Sequence, residues 1–209
     1  MRKTLIVALC ICALTAFASA QTPPQKTDYA TLLAKLTAGD TKIDFKAMRI
    51  AYTDTKEYNP YGGGKDELAK IRKDLDDGKH KDGIKTGLEL LKSEYVNIEA
   101  HMLMAILYKE EKDAAKFEFH KAAYLGFINS ILEGADGKTA KTAYVVISVP
   151  EEYTLLRALE LQRSSQALSN VDGHKYDVLT VTDPKTKQSQ QIYFNIDLVW
   201  KGYERIFKR

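Results

Sequence analysis

The chain has 209 residues, and its formal net charge of +3 falls to +1 once Arg2 and Lys3 are removed with an N-terminal leader. A nearly neutral chain carries no electrostatic footprint for nucleic acid or another acidic polymer, and this length suits one domain that buries most of its apolar surface without a metal or disulfide staple. Both cysteines, Cys10 and Cys12, lie in the leader, which excludes disulfides and thiol nucleophiles from the remainder.

The leader has three parts: Arg2 and Lys3, an uncharged and mostly apolar run from Thr4 to Phe17, and Ala18-Ser19-Ala20. This is the layout of a secretory signal peptide over residues 1–20 with an A-x-A cleavage site. The apolar run is too short for a membrane span of about 20 residues. Lipoprotein processing would need a small residue before Cys10, where Leu9 stands. The expectation is an exported protein, periplasmic or secreted, cleaved after Ala20 and left with no transmembrane anchor.

Residues 21–26, with Pro23 and Pro24, read as a flexible lead-in, and residues 27–209 as a single α+β domain. Thr27-Asp28 offers an N-cap to a helix carrying Tyr29, Leu32, Leu33 and Leu36, and Gly39-Asp40 closes it. Asp44 caps a second helix with Phe45, Met48 and Tyr52 at helical spacing. Tyr58-Asn59-Pro60-Tyr61-Gly62-Gly63-Gly64 must be a loop, since proline and three glycines do not continue a helix. A third helix opens at Asp66 with Leu68, Ile71 and Leu75 on one face, and stops at Asp77-Gly78. Ile84, Leu88, Leu91 and Tyr95 make the next stripe. Asn97 caps a helix with Ile98, Met102, Ala105 and Ile106. Phe117, His120, Tyr124, Phe127 and Ile131 make the last stripe, ending at Gly134. Short connections favour antiparallel neighbours. Residues 82–123 look like a tetratricopeptide-type helical hairpin, with small residues at Ala100, Ala105 and Ala123. One repeat is too few for an array, so the likeness is one of local packing.

Beyond Asp136-Gly137 the texture changes. Residues 143–149 are β-branched and apolar on both faces, as in a buried strand. Pro150, Glu151 and Glu152 favour a short helix through Leu159, the two glutamates acting on its dipole. A polar strand follows over 161–171. Residues 174–182 and 190–196 alternate with period two around the turn Asp183–Lys187, as a β-hairpin does. Leu198, Val199, Trp200, Tyr203 and Phe207 form a closing amphipathic helix. The fold class is therefore α+β: a tetratricopeptide-like helical layer over 27–134, then a small antiparallel sheet over 140–209 with the closing helix.

Four segments in this order resemble the DUF4919 family of secreted bacterial proteins of unknown function: IDFKAMRIAYTDTKEYNPYG (43–62), the hairpin around His101, EGADGKTAKTAYVVISVPEEYTLL (133–156) and YDVLTVTDPKTKQSQQIYFNID (176–197). The resemblance implies an exported bacterial protein and transfers no activity or catalytic residue.

The chemistry-bearing residues admit two readings each. His101 and His120 fall on adjacent helices and are placed to face each other, with Glu99 or Glu118 near. They serve either a hydrolase with an unfamiliar site or hydrogen-bonded packing. No H-E-x-x-H and no i, i+4 histidine pair is present, so no metal is expected. Gly62-Gly63-Gly64-Lys65 and Gly137-Lys138-Thr139 lack the earlier glycine of a P-loop, so no nucleotide or other cofactor is expected. No G-x-S-x-G occurs. Arg49, Tyr52, Tyr58, Asn59 and Tyr61 combine stacking area with hydrogen bonding, the composition of a recognition surface. The alternative is that the tyrosines pack the loop while Arg49 holds a carboxylate. Trp200 and Tyr203 offer either a docking face or packing against the sheet. On balance the residues favour a binding or interaction module of the cell envelope, with an envelope protein as partner, over an enzyme.

Overall fold

In the computed structural model the described residues are 28–208; the expected signal peptide and lead-in lie outside them. Six helices come first: α1 (Tyr29–Thr37), α2 (Phe45–Tyr52), α3 (Lys65–Asp76), α4 (His80–Ser93), α5 (Ile98–Glu110) and α6 (Ala114–Leu132). Four of them start at a side-chain cap. Asp28, Asp44, Asn97 and Asp113 accept from the backbone N–H three residues on, at 2.8, 2.8, 3.0 and 3.1 Å, which satisfies donors the helix leaves open. α3 starts instead from Gly64 at φ +67°, with Asp66 and Glu67 in its first turn. Neither α5 nor α6 has a strong one-sided pattern because both are central: α5 buries eight residues, from Ile98 to Tyr108.

A single 3₁₀ turn (Ala140–Thr142) leads into β1 (Tyr144–Val145), α7 (Val149–Ala158), β2 (Gln162–Val171), β3 (His174–Thr182), β4 (Ser189–Asn195) and α8 (Asp197–Phe207). The sheet order is β1-β4-β3-β2. β2, β3 and β4 are antiparallel neighbours, whereas β1 pairs parallel with β4 through Tyr144–Phe194 and Val145–Asn195. The architecture is thus α+β with a mixed sheet. The strand expected over 143–149 is cut to two residues because its continuation is used elsewhere. Val146 and Ile147 turn into the core, Ile147 N–H donates to the Glu151 carboxylate at 2.9 Å, and Pro150 fixes the start of α7. β2 and β3 join through Asp172-Gly173, both at positive φ (53° and 83°), the two-residue turn whose twist matches the flanking strands. β2 is the outer strand, and its polar residues face solvent, which discourages edge-to-edge pairing.

Two apolar clusters hold the molecule together. The larger joins α1, α2 and α6 to the inner face of the sheet and to α7, around Phe127, Leu155, Leu179 and Phe194. The smaller lies between α3, α4 and α5, around Ile71, Leu91, Met104 and Leu107. Helix α4 approaches α5 through Gly87, where a Cβ would sit 2.2 Å from the Met104 sulfur. Ala100, Ala105 and Ala123, the small residues of the tetratricopeptide-like hairpin, are all buried.

Candidate functional site

The Tyr58–Gly62 loop is built as a clamp. The Tyr58 hydroxyl donates to Ile147 O (2.7 Å) and Leu198 O (3.2 Å), tying α7 and α8 to the loop. Asn59 is spent locally, donating to Gly62 O and accepting from Tyr61 N–H. Tyr52 is buried and donates to Glu57 O and Ser93 O. Burial pushes the Tyr52 and Tyr58 hydroxyls well above the usual phenol range. Tyr61 alone of the group presents a largely exposed ring, tilted by 33° against Tyr203 at 4.5 Å between centroids. The cavity behind the loop measures about 50 Å³, room for ordered water and nothing larger.

Arg49 corrects the surface reading most sharply: it is 1 % exposed. Its Nε and Nη2 bind the two Glu151 oxygens at 2.8 and 2.5 Å, Nη2 also donates to Val145 O (2.9 Å), and Nη1 to Ser130 Oγ (3.3 Å). A buried guanidinium is tolerated only when its donors find acceptors, and here they come from α6, β1 and α7. Arg49 and Tyr52 are therefore scaffold: Tyr52 lies on the stripe it shares with Phe45 and Met48, and Arg49 holds a carboxylate, an inward direction that helical spacing alone does not give.

The next residue on α7 behaves differently. Glu152 is fully buried, and among the described residues neither of its oxygens has a partner; Asp177 Oδ1 on β3 is likewise enclosed and unpartnered. Asp177 Oδ2 accepts from Gln166 Nε2 at 2.5 Å. Gln166 is oriented for this by Tyr153 and Arg163, which donate to its Oε1. Burial, then the negative charges of Asp177 and Glu151, push the Glu152 carboxyl up to about 9, with Arg163 opposing. Glu152 is thus a neutral acid at neutral pH. The sequence reading of both glutamates as dipole-favouring helix starters missed this, since neither one faces solvent.

The two histidines do meet. His101 Nδ1 lies 3.0 Å from His120 Nδ1, and His101 Nε2 lies 2.9 Å from the Tyr95 carbonyl. His120 is stacked on Tyr108 and meets Phe119 edge-on. Burial lowers His101 to about 4; burial, His101 and Lys116 together lower His120 to about 3. Both rings are neutral. No glutamate completes a triad: Glu118 pairs with Lys121, and Glu99 accepts from Arg72 and Arg157.

His120 lines an open groove of about 580 Å³ between the end of α1, α4 and the α5–α6 hairpin. Its walls are mainly apolar: Leu33, Leu88, Tyr95, Tyr108 and Phe119. Leu88 belongs to the apolar stripe of α4 yet is 47 % exposed, because the buried face of α4 is Gly83, Gly87, Leu90 and Leu91. Helical spacing alone puts Leu88 on the packed stripe, and only the tertiary structure leaves it on the groove wall. Lys116 at its rim is neutralised by Asp113 at 3.2 Å and lies over the Tyr108 ring. A second concavity of about 540 Å³ lies beside Tyr61, but its arginines 72 and 157 are engaged with Glu99. The first groove combines apolar walls with a polar group that the fold leaves available, the usual make-up of a ligand pocket.

Among the described residues no cluster of three or more His, Cys, Asp or Glu side chains is arranged to hold a metal, and no helix is long and apolar enough to cross a membrane. Searches of curated proteins and of solved structures gave no match. Residues 21–205 match the family model described as a domain of unknown function, DUF4919, spanning all four segments that carried the resemblance. The chain belongs to the DUF4919 family.

Proposed function

We propose that the protein is an exported binding module of the bacterial cell envelope, released by cleavage after Ala20, whose α1/α4/α5–α6 groove seats a small apolar or aromatic molecule. The observation that carries this reading is the groove itself. Its volume of about 580 Å³ lies in the range of small-molecule sites, roughly 300–1,000 Å³. Apart from the wall tyrosines, its other polar side chains are engaged within the fold: Lys92 pairs with Glu89, Lys116 with Asp113, and the Thr37 hydroxyl donates to Leu33 O and Ala34 O, which leaves His120. The runner-up, a hydrolase using His101 and His120, finds less support. A general base works best with a pKa near the working pH, and burial holds both imidazoles near 3–4.

The test is a thermal-shift screen of the protein expressed from its full coding sequence and recovered from the envelope fraction. An apolar ligand at a hundred times its Kd adds about 2.7 kcal/mol, a rise of roughly 5–10 °C for a chain this size. Leu88→Arg, at a half-exposed position, should abolish the shift while the unliganded protein still melts cooperatively. Equal shifts in both proteins, or a single crosslinked envelope protein lost on changing Tyr61 to alanine, would move the function elsewhere. N-terminal sequencing of the recovered protein should begin at Gln21.

A further inference from the structure

The histidine pair is wired so that the protonation of one end decides the other. A backbone carbonyl only accepts, so the 2.9 Å contact with Tyr95 O requires the proton on His101 Nε2. His101 is neutral and carries one ring proton, which leaves its Nδ1 bare. The 3.0 Å contact between the two Nδ1 atoms then requires His120 to be the donor. His120 is neutral too, so its own Nε2 is bare. The enclosed side-chain polar atoms without a partner among the described residues are Glu152 Oε1, Glu152 Oε2 and Asp177 Oδ1. Among the described residues His120 Nε2 has no partner, and it is not one of these enclosed atoms. Its residual exposure is therefore at the groove its ring lines.

We infer that the Tyr95 carbonyl, acting through His101, sets His120 Nε2 as a fixed hydrogen-bond acceptor in the groove, so that the groove selects aromatic ligands presenting an N–H or O–H donor. This rests on the groove being a ligand seat and adds what the ligand must carry. A ring bearing a donor, such as an indole or a phenol, matches both the walls (Tyr95, Tyr108, Phe119) and the lone pair. A ligand offering only acceptors would meet the Nε2 lone pair with its own. A ring without a donor would desolvate Nε2 and return nothing. Tyr108 and Phe119 fix the plane of the imidazole, and the Nδ1 contact with His101 fixes which edge points away from the pair.

Two measurements test the inference separately from the groove reading. Nitrogen-15 histidine spectra of the unliganded full-length product at neutral pH should show His101 protonated at Nε2 and His120 at Nδ1. His120 protonated at Nε2 would overturn the inference whatever binds. Indole and 1-methylindole then serve as matched probes, titrated by NMR. Indole should bind about threefold to tenfold tighter, and the ratio should fall to about one in His120→Phe. Equal binding of the two probes by the wild type sinks the acceptor role and leaves the groove standing. If neither probe binds at millimolar concentration, the groove reading fails and this inference fails with it.

Discussion

Glu151 and Glu152 are neighbours on one turn of α7, and they live in opposite electrostatic regimes. A helix turns about 100° per residue, so the two carboxyls face different walls. Glu151 meets Arg49 and the Ile147 amide and has both oxygens used. Glu152 meets the sheet beside Asp177 and has neither oxygen used. One site compensates a buried charge with an opposite charge and hydrogen bonds. The other removes the charge by keeping the proton. The pair teaches that the cost of burial falls on whichever protonation state the wall cannot solvate.

The largest expected effect breaks the compensated side. Glu151→Ala leaves the Arg49 guanidinium enclosed without its carboxylate, and urea unfolding should show a loss of about 3–5 kcal/mol. Replacing both partners, Arg49→Met with Glu151→Leu, should recover most of that loss, because the penalty comes from the uncompensated charge. A loss below about 1 kcal/mol in the single variant would mean the pair is not a keystone.

Next comes the protonated side, where the sign is set by the direction of the shift. Folding raises Glu152 from an ordinary value near 4.5 to about 9, so the folded state holds a proton that the unfolded chain releases. Its contribution is complete below about pH 4.5 and is lost as pH rises towards 9. The slope approaches 1.4 kcal/mol per pH unit for one proton. Glu152→Gln should flatten the fall of stability measured by urea unfolding between pH 6 and pH 9, and should equal or exceed the wild type at the alkaline end. A parallel pair of profiles would show that Glu152 is ionised in the fold. Asp177 is raised in the same direction, mainly by burial, so some slope should remain.

The smallest effect concerns the support of the acid pair. Gln166→Ala removes the one partner of Asp177 Oδ2 and should cost about 1–2 kcal/mol by the same assay, as expected for a buried polar group left without its hydrogen bond. The loss should shrink as pH falls, because burial raises Asp177 and protonation relieves the unpaired carboxylate.

Most of the secondary structure was legible because it is written locally. Asp28, Asp44 and Asn97 cap α1, α2 and α5, and Gly39, Gly78 and Gly134 follow the ends of α1, α3 and α6 at positive φ. The Asp183–Lys187 turn was likewise readable between two alternating strands. The Asp172-Gly173 turn carries an equally local signal, a dipeptide that accepts positive φ at both positions. The short β1 had none, because its length depends on Glu151 capturing the Ile147 amide, a contact made only once α7 has packed.

The candidate site divides in the same way. Adjacent helices were enough to bring His101 and His120 together, since a short connection makes α5 and α6 antiparallel neighbours. Residue type could not show that Arg49 points inward, that Asn59 is consumed by its own turn, or that Leu88 is left on a groove wall. By itself, then, the sequence determined the order of elements, the α+β class and the residue types available for chemistry, which depend on patterns within a few residues, and the family, which depends on the order of four such segments along the chain. Tertiary structure alone decided which of two adjacent glutamates keeps its proton, which histidine nitrogen is bare, and where a cavity remains. Those outcomes depend on walls contributed by segments as far apart as Arg49 and Glu151, brought within 2.5 Å only by the completed fold.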